Sequence, residues 1–171
     1  MFWSKKKESK KLNDPLKSGL NFGLTSGVIT TLGLMIGLLS GTGSKLAVLG
    51  GVLTIAIADS LSDAFGMHIA KESISGSKPK EVWQATFSTF LAKFIFAITF
   101  LIPIIFLEIK LAVLISCVWG IVLLTIASLV IAKTNKLNQA KMVLEHLLIA
   151  TVVIIVSYYA GVLIHILFSD I

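Results

Sequence analysis

The sequence predicts an all-α membrane protein with five transmembrane helices, and three observations lead to this fold class. Hydrophobic residues make up 56% of the 171 residues, and the mean hydropathy is +0.93; a soluble core of this size would not bury so much apolar surface. Five apolar windows are each long enough to cross a bilayer, which takes about twenty helical residues. The basic residues are all lysines, and nearly all of them lie at the ends of these windows.

The windows are continuously apolar and show no alternation with a period of two, so they predict helices rather than strands. The breaks between the windows are short and polar, and none is long enough to form a separate domain. The chain is therefore expected to have a basic tail at 1–14 and one transmembrane domain at 15–171. The predicted spans are 16–40, 46–70, 82–106, 111–132 and 144–168.

A lysine-rich segment precedes the first span, as a basic segment precedes the apolar region of a signal peptide. The span is too long for a cleavable apolar region and is expected to be retained. It carries six glycines in two series with four-residue spacing. Small residues at this spacing let membrane helices approach closely. Span 1 is therefore expected to be central, packed on its neighbours or on a second copy in a homodimer. The glycines are Gly19, Gly23, Gly27, Gly33, Gly37 and Gly41.

Two single residues, one in span 3 and one in span 4, support predictions about local structure. Pro103 is expected to kink span 3, because proline removes a backbone hydrogen bond from a helix. Cys117 is the only cysteine and lies in an apolar run of span 4. It has no partner for a disulfide or a metal motif and is expected to be a small buried hydrophobe.

The lysines predict the orientation of the chain. With the N-terminus in the cytoplasm, twelve lysines fall on the cytoplasmic side, whereas Lys45 and Lys110 fall on the outer side. This is a strong positive-inside pattern. We expect a multi-pass protein of the cell membrane with its C-terminus outside.

The composition argues against several function classes. There is no arginine to bind a guanine edge or a phosphate in a bidentate manner, and no basic strip interleaved with exposed aromatic residues, so nucleic-acid binding is not expected. No nucleophile elbow, His-Glu-x-x-His pair or Walker loop is present. The chain is therefore not expected to be an enzyme or an ATP-driven pump.

Ionisable residues within membrane spans are costly and indicate function. Asp59 and Asp63 lie one helical turn apart in span 2, and Met67 continues the same face. Counted from the cytoplasmic ends, Asp63 lies ~10 Å deep, Asp59 and Lys93 ~16 Å, and Ser26 ~15 Å. Polar groups from three spans are thus expected at one level of the membrane.

These residues support two interpretations. Paired carboxylates, a hydroxyl and a thioether would suit a divalent metal such as Fe²⁺ or Mn²⁺, and the carboxylates would also suit proton transfer. Alternatively, Lys93 neutralises Asp59 in a buried ion pair with a structural or partner-binding role. An arriving cation that breaks this pair would combine the two. Weaker metal candidates are His68 and Glu72, and then Glu81, Glu145 and His146; His165 is expected to be an interface residue.

Two segments of spans 1 and 2 form recognisable motifs: Gly23 to Thr31 (GLTSGVITT) and Ala58 to Gly66 (ADSLSDAFG), the latter followed by Lys71-Glu72-Ser73. Both motifs resemble those of the vacuolar iron transporter family. Pro103 and the stretch from Leu147 to Leu163 also fit this family. The resemblance implies five helices, a homodimer with a pore between the copies, and export of Fe²⁺ or Mn²⁺ from the cytosol in exchange for protons. The metal is then a substrate, and no resident cofactor is expected.

The chain departs from this family at the positions that would bind metal. The family commonly has aspartate where this chain has Ser26, and methionine where this chain has Asp63. Some members have glutamate where this chain has Ile55, and plant-like members have a glutamate-rich insertion where this chain has about eleven residues. The fold is therefore expected to transfer, whereas the metal site is relocated, changed in its ion or lost.

Overall fold

The computed structural model describes residues 14–168, and in this range the chain is about 90% helix with no strand. Five helices in it are long and apolar enough to span a membrane. The prediction of an all-helical chain with five helices long and apolar enough to cross a membrane is confirmed. The tail predicted at 1–14 lies outside the described residues except for Asp14. The helices are α1 (Pro15–Thr42), α2 (Lys45–Glu72), α3 (Pro79–Phe106), α4 (Ile109–Asn135) and α5 (Gln139–Phe168).

Three helices (α1, α2 and α4) extend past the predicted apolar windows at both ends, whereas α3 and α5 extend past them only at the N-terminal end. Pro15 occupies the first turn of α1, where its missing N–H costs nothing. The helix ends at Gly43, which adopts φ +60°, and the Gly43 N–H donates to the Leu39 carbonyl at 2.9 Å. The Ser44 hydroxyl then accepts from the Ala47 N–H at 3.2 Å and starts α2. The predicted turn at 40–45 thus shrinks to two residues.

Two of the five helices are locally irregular. In α2, the segment Ile55–Asp59 is a π-helix, which the sequence did not indicate. In α3, the α-helix stops at Thr99 and resumes at Leu101. Pro103 is the cause, because it has no N–H to donate to the Thr99 carbonyl one turn earlier. The Phe100 N–H instead bonds to the Ala97 carbonyl at 3.2 Å. The predicted disruption of span 3 by Pro103 is confirmed.

Helix α1 lies at the centre of the bundle, as predicted, and packs against all four other helices. Its two glycine series face different partners. A Cβ on Gly23 would lie 3.0 Å from Ala92 Cβ in α3, and a Cβ on Gly33 would lie 2.7 Å from Val153 Cγ1 in α5. The first series therefore forms a seam with α3 and the second a seam with α5. Both seams lie within one chain, so the glycines do not require a second copy.

The two ends of the bundle differ in charge. One end, here named the lysine-rich end, holds Asp14 and the connections 73–78 and 136–138, and most of the lysines lie near it. The opposite end holds the connections 43–44 and 107–108. There Lys45 donates from Nζ to the carbonyls of Ile105 (3.1 Å) and Leu107 (2.9 Å). Lys45 thus caps the end of α3, which gives this lysine a structural role.

The outer surface of the bundle is apolar. Large hydrophobic side chains are exposed along every helix, and α5 has only two buried residues, Ala150 and Gly161. Backbone hydrogen bonds are satisfied within the helices, which is the requirement for a segment surrounded by lipid. The distribution fits a multi-pass membrane protein.

Candidate functional site

The candidate site is centred on a buried lysine in the middle of the bundle. Lys93 lies in α3 at the end of the seam that α3 forms with the first glycine series of α1. A Cβ on Gly27 would lie 3.1 Å from Lys93 Cγ, so glycine at this position makes room for the lysine stem. The Lys93 side chain is only 1% exposed. A buried ammonium of this kind is costly unless it is paired.

Both aspartates of α2 pair with Lys93. Its Nζ lies 2.5 Å from Oδ2 of Asp59 and forms a short ion pair with Oδ2 of Asp63. The Asp63 contact also has hydrogen-bond geometry, whereas Asp59 Oδ2 meets the ammonium at angles that do not form a hydrogen bond. The predicted pairing of Lys93 with Asp59 is therefore present, and Asp63 completes it.

Ser26 connects α1 to the same cluster. The Ser26 hydroxyl donates to Asp63 Oδ2 at 2.7 Å and accepts from Lys93 Nζ at 3.0 Å. The hydroxyl thus makes one hydrogen bond to a carboxylate and one to the ammonium. Side chains from α1, α2 and α3 meet at one point, as their predicted depths indicated. The Lys93 cluster is defined here as Ser26, Asp59, Asp63 and Lys93.

Local structure explains why these side chains meet. Asp59 ends the π-helical segment, and Asp63 lies one α-helical turn further along. A π turn inserts a residue and rotates the following turn of the helix, and such turns recur at functional sites. From there, residues four apart share a face, so both carboxylates point toward α3.

The Lys93 cluster is not fully enclosed and is not electrically balanced by its lysine. The Asp59 side chain is 32% exposed and that of Asp63 is 23% exposed. With all three groups ionised, two carboxylates face one ammonium and leave one net negative charge. With these formal charges the cluster is negative; Lys93 closes it on one side, and the partly exposed carboxylates leave it open on the other.

The remaining predicted metal candidates lie outside the Lys93 cluster. Met67 lies one helical turn beyond Asp63 in α2. His68 Nδ1 lies 2.9 Å from the Thr86 hydroxyl, and His68 Nε2 lies 4.0 Å from Glu72 Oε2. Between residues 14 and 168, no three His, Cys, Asp or Glu side chains form a group that could hold a metal ion. A metal in the cluster would therefore rely on Asp59, Asp63 and Ser26.

Two histidines are each held by a hydroxyl that is already used as a donor. Thr86 donates to the Val82 carbonyl at 2.9 Å, and Ser128 donates to the Leu124 carbonyl at 2.6 Å. The Thr86 hydroxyl lies near Nδ1 of His68, and the Ser128 hydroxyl lies 2.7 Å from Nδ1 of His146. Because each hydroxyl already donates its hydrogen to a carbonyl, each Nδ1 must be the donor in the bond to the hydroxyl. These bonds tie α2 to α3 and α4 to α5. His165 bonds to the Gly41 carbonyl at 3.2 Å instead.

Sequence reasoning found the four cluster residues but missed their supports. The π-helical segment has no recognised sequence signal, so the rotation that aligns Asp59 was not predicted. The Thr86 and Ser128 hydroxyls were also missed, although a polar residue on a buried helix face would have indicated them.

Comparison with protein-family models, with curated proteins and with solved structures finds no match to this chain.

Proposed function

We propose that this chain is a membrane transporter for divalent transition-metal cations, with Fe²⁺ and Mn²⁺ as substrates. One observation supports this proposal most. Oxygen atoms of Asp59, Asp63 and Ser26 converge on a single cation, the ammonium of Lys93, in the interior of an apolar helical bundle. A position that holds one cation with three oxygen-bearing side chains has the chemistry to hold another.

Charge balance gives Lys93 a role in this proposal. Two carboxylates neutralise one divalent cation, so a metal that arrives while Lys93 is charged would leave an excess positive charge inside the membrane. Such a charge is costly. Binding therefore requires the Lys93 ammonium to move away or to release its proton. Release of the proton couples metal movement to proton movement.

Orientation and assembly belong to the same proposal. The excess of lysines at one end supports a cytoplasmic N-terminus, with export of the metal from the cytosol. The glycines of α1 are occupied by contacts within the chain, so a homodimer would form on another face. The partly exposed Asp59 and Asp63 favour α2 as the dimer face, because a partner would shield these carboxylates from lipid.

A second candidate function is favoured by the burial of Lys93. Its ammonium is enclosed and in contact with both carboxylates and with Ser26, which is the arrangement of a locked ion pair. In that case the chain is a transporter-like membrane protein that does not transport and has a structural or partner-binding role. The resemblance to a metal transporter family then concerns the fold alone.

Calorimetry on the purified chain in detergent separates these two candidates. Wild type, Asp63→Asn and Asp14→Asn would be titrated with Mn²⁺, Fe²⁺, Co²⁺ and Zn²⁺. Asp14→Asn is a matched control, because it also removes one carboxylate, from a pair with the exposed Lys17. The transporter proposal predicts binding to wild type and the control, and loss of binding in Asp63→Asn. Absence of binding to folded wild type would support the second candidate.

A further inference from the structure

A groove on the outer surface of the bundle lies between α1 and α3, away from the Lys93 cluster. Its volume is about 370 Å³. Its surface is apolar, and its large hydrophobic side chains are about half exposed. The residues that line it are Leu16, Leu20, Lys80, Trp83, Gln84, Phe87, Ser88 and Leu91.

The shape of the groove follows from helix geometry. Its α3 residues fall in two rows with four-residue spacing, which follow the helix axis from the lysine-rich end inward. From Lys80 to Leu91 this distance is ~16 Å, at ~1.5 Å per residue. One leaflet contributes about half of the ~30 Å hydrocarbon thickness. The groove is therefore about as long as the acyl-chain region of one leaflet, and it starts at one surface of the membrane.

A cationic side chain lies at one end of this groove. Lys80 lines its mouth at the lysine-rich end, and no acidic side chain of residues 14–168 forms an ion pair with it. The other exposed lysine nearby on α1, Lys17, is paired with Asp14 at 3.4 Å. Trp83, beside the mouth, is 51% exposed and suits the boundary between headgroups and acyl chains.

We infer that this groove binds one anionic phospholipid. An acyl chain lies along the apolar walls, and the headgroup phosphate accepts hydrogen bonds from the Lys80 ammonium. Two other occupants have the wrong charge. A second copy would bring its own Lys80 to the same mouth, and residues 1–13 of this chain contain five lysines and one glutamate. The inference does not depend on metal transport.

Native mass spectrometry of the full chain in detergent tests this inference. The protein would be mixed with equal amounts of phosphatidylglycerol and phosphatidylcholine that carry the same acyl chains. We expect preferential retention of phosphatidylglycerol by wild type. Lys80→Gln should weaken its retention about fivefold, the effect of one lysine near an anionic surface. Lys78→Gln is the matched control, because it removes the same charge two residues away and does not line the groove.

A second variant tests the acyl chain rather than the charge. Gln84 is exposed and lines the groove, so Gln84→Trp fills the groove while Lys80 remains. It should lower phosphatidylglycerol retention, and an unchanged circular dichroism spectrum would show that the fold persists. Equal retention of the two lipids by wild type, or equal effects of Lys80→Gln and Lys78→Gln, would overturn the inference. So would disulfide-linked dimers of Leu20→Cys in a Cys117→Ser background, because a second copy would then occupy the groove.

Discussion

The two glycine seams of α1 use the same sequence pattern for different purposes. The α3 seam, with Gly19, Gly23 and Gly27, leads to the Lys93 cluster. The α5 seam, with Gly33 and its followers, meets only neutral groups such as the Ser157 side chain. Across that seam, the Ser40 hydroxyl donates to the Tyr158 carbonyl at 3.1 Å. Glycine spacing therefore indicates close helix packing in both places, and the buried charge alone distinguishes the seam that carries a candidate site.

Glycine spacing and buried charge therefore carry different information about function. Close approach of two membrane helices is a packing solution that any bundle uses. Desolvated charge is expensive and is retained only where other groups compensate it. The variants below separate these two contributions, from the largest expected effect to the smallest.

Removal of the lysine should have the largest effect. Lys93→Ala leaves Asp59 and Asp63 side by side without a cation, and loss of one partner of a buried pair costs about 3 kcal/mol in the free energy of unfolding. Unfolding of the purified variant by denaturant, followed by circular dichroism, measures this loss. Lys93→Met combined with Asp59→Asn and Asp63→Asn should recover most of it. Wild-type stability of Lys93→Ala would show that the carboxylates do not depend on the lysine.

An added methyl group on the charged seam should have the next largest effect. A Cβ at Gly23 would lie against the Thr89 carbonyl oxygen and 3.0 Å from Ala92 Cβ, so the two helices must separate. Overpacking of this kind costs about 2 kcal/mol. Thermal unfolding of Gly23→Ala measures it. Gly66→Ala is the matched control, because nothing lies within 4 Å of the added Cβ there. Equal melting temperatures for the two variants would contradict the close contact between α1 and α3.

The smallest effect is expected at the hydroxyl. Ser26→Ala removes the donor to Asp63 and the acceptor from Lys93, while the ion pairs remain. The cost should be about 1.5 kcal/mol, the lower end of the range for hydrogen bonds to charged groups. Denaturant unfolding of Ser26→Ala and Lys93→Ala, measured in parallel, gives the ratio of their losses in the free energy of unfolding. A loss equal to that of Lys93→Ala would mean that the hydroxyl, and not the charge pairing, stabilises the cluster.

The sequence predicted the fold well because membrane constraints are simple. Length and hydropathy were sufficient for five spans, and the position of Pro103 was sufficient for the break in α3. The sequence also predicted that Asp59, Ser26 and Lys93 would lie at one depth, with Asp63 one helical turn away, because helical rise is constant.

Other features depended on rotation about the helix axes, which depth does not determine. The π-helical segment Ile55–Asp59 changes the phase of α2 and brings both carboxylates to one ammonium. Met67 lies one helical turn beyond Asp63, and its role as a metal ligand stays a prediction. The partner of each glycine series was likewise left open by the sequence, because spacing does not identify the facing helix.

Uptake of Mn²⁺ into proteoliposomes tests the central claim most directly, namely that Asp59 and Asp63 form a cation site that Lys93 occupies at rest. Wild type, Asp63→Asn and the packing control Gly66→Ala would be reconstituted at equal density, with internal pH recorded beside the flux. We predict Mn²⁺ flux with opposite proton movement for wild type and Gly66→Ala, and neither for Asp63→Asn. Undiminished flux through folded Asp63→Asn would contradict the site, and absence of flux through wild type would leave Lys93 as the permanent partner of a structural ion pair.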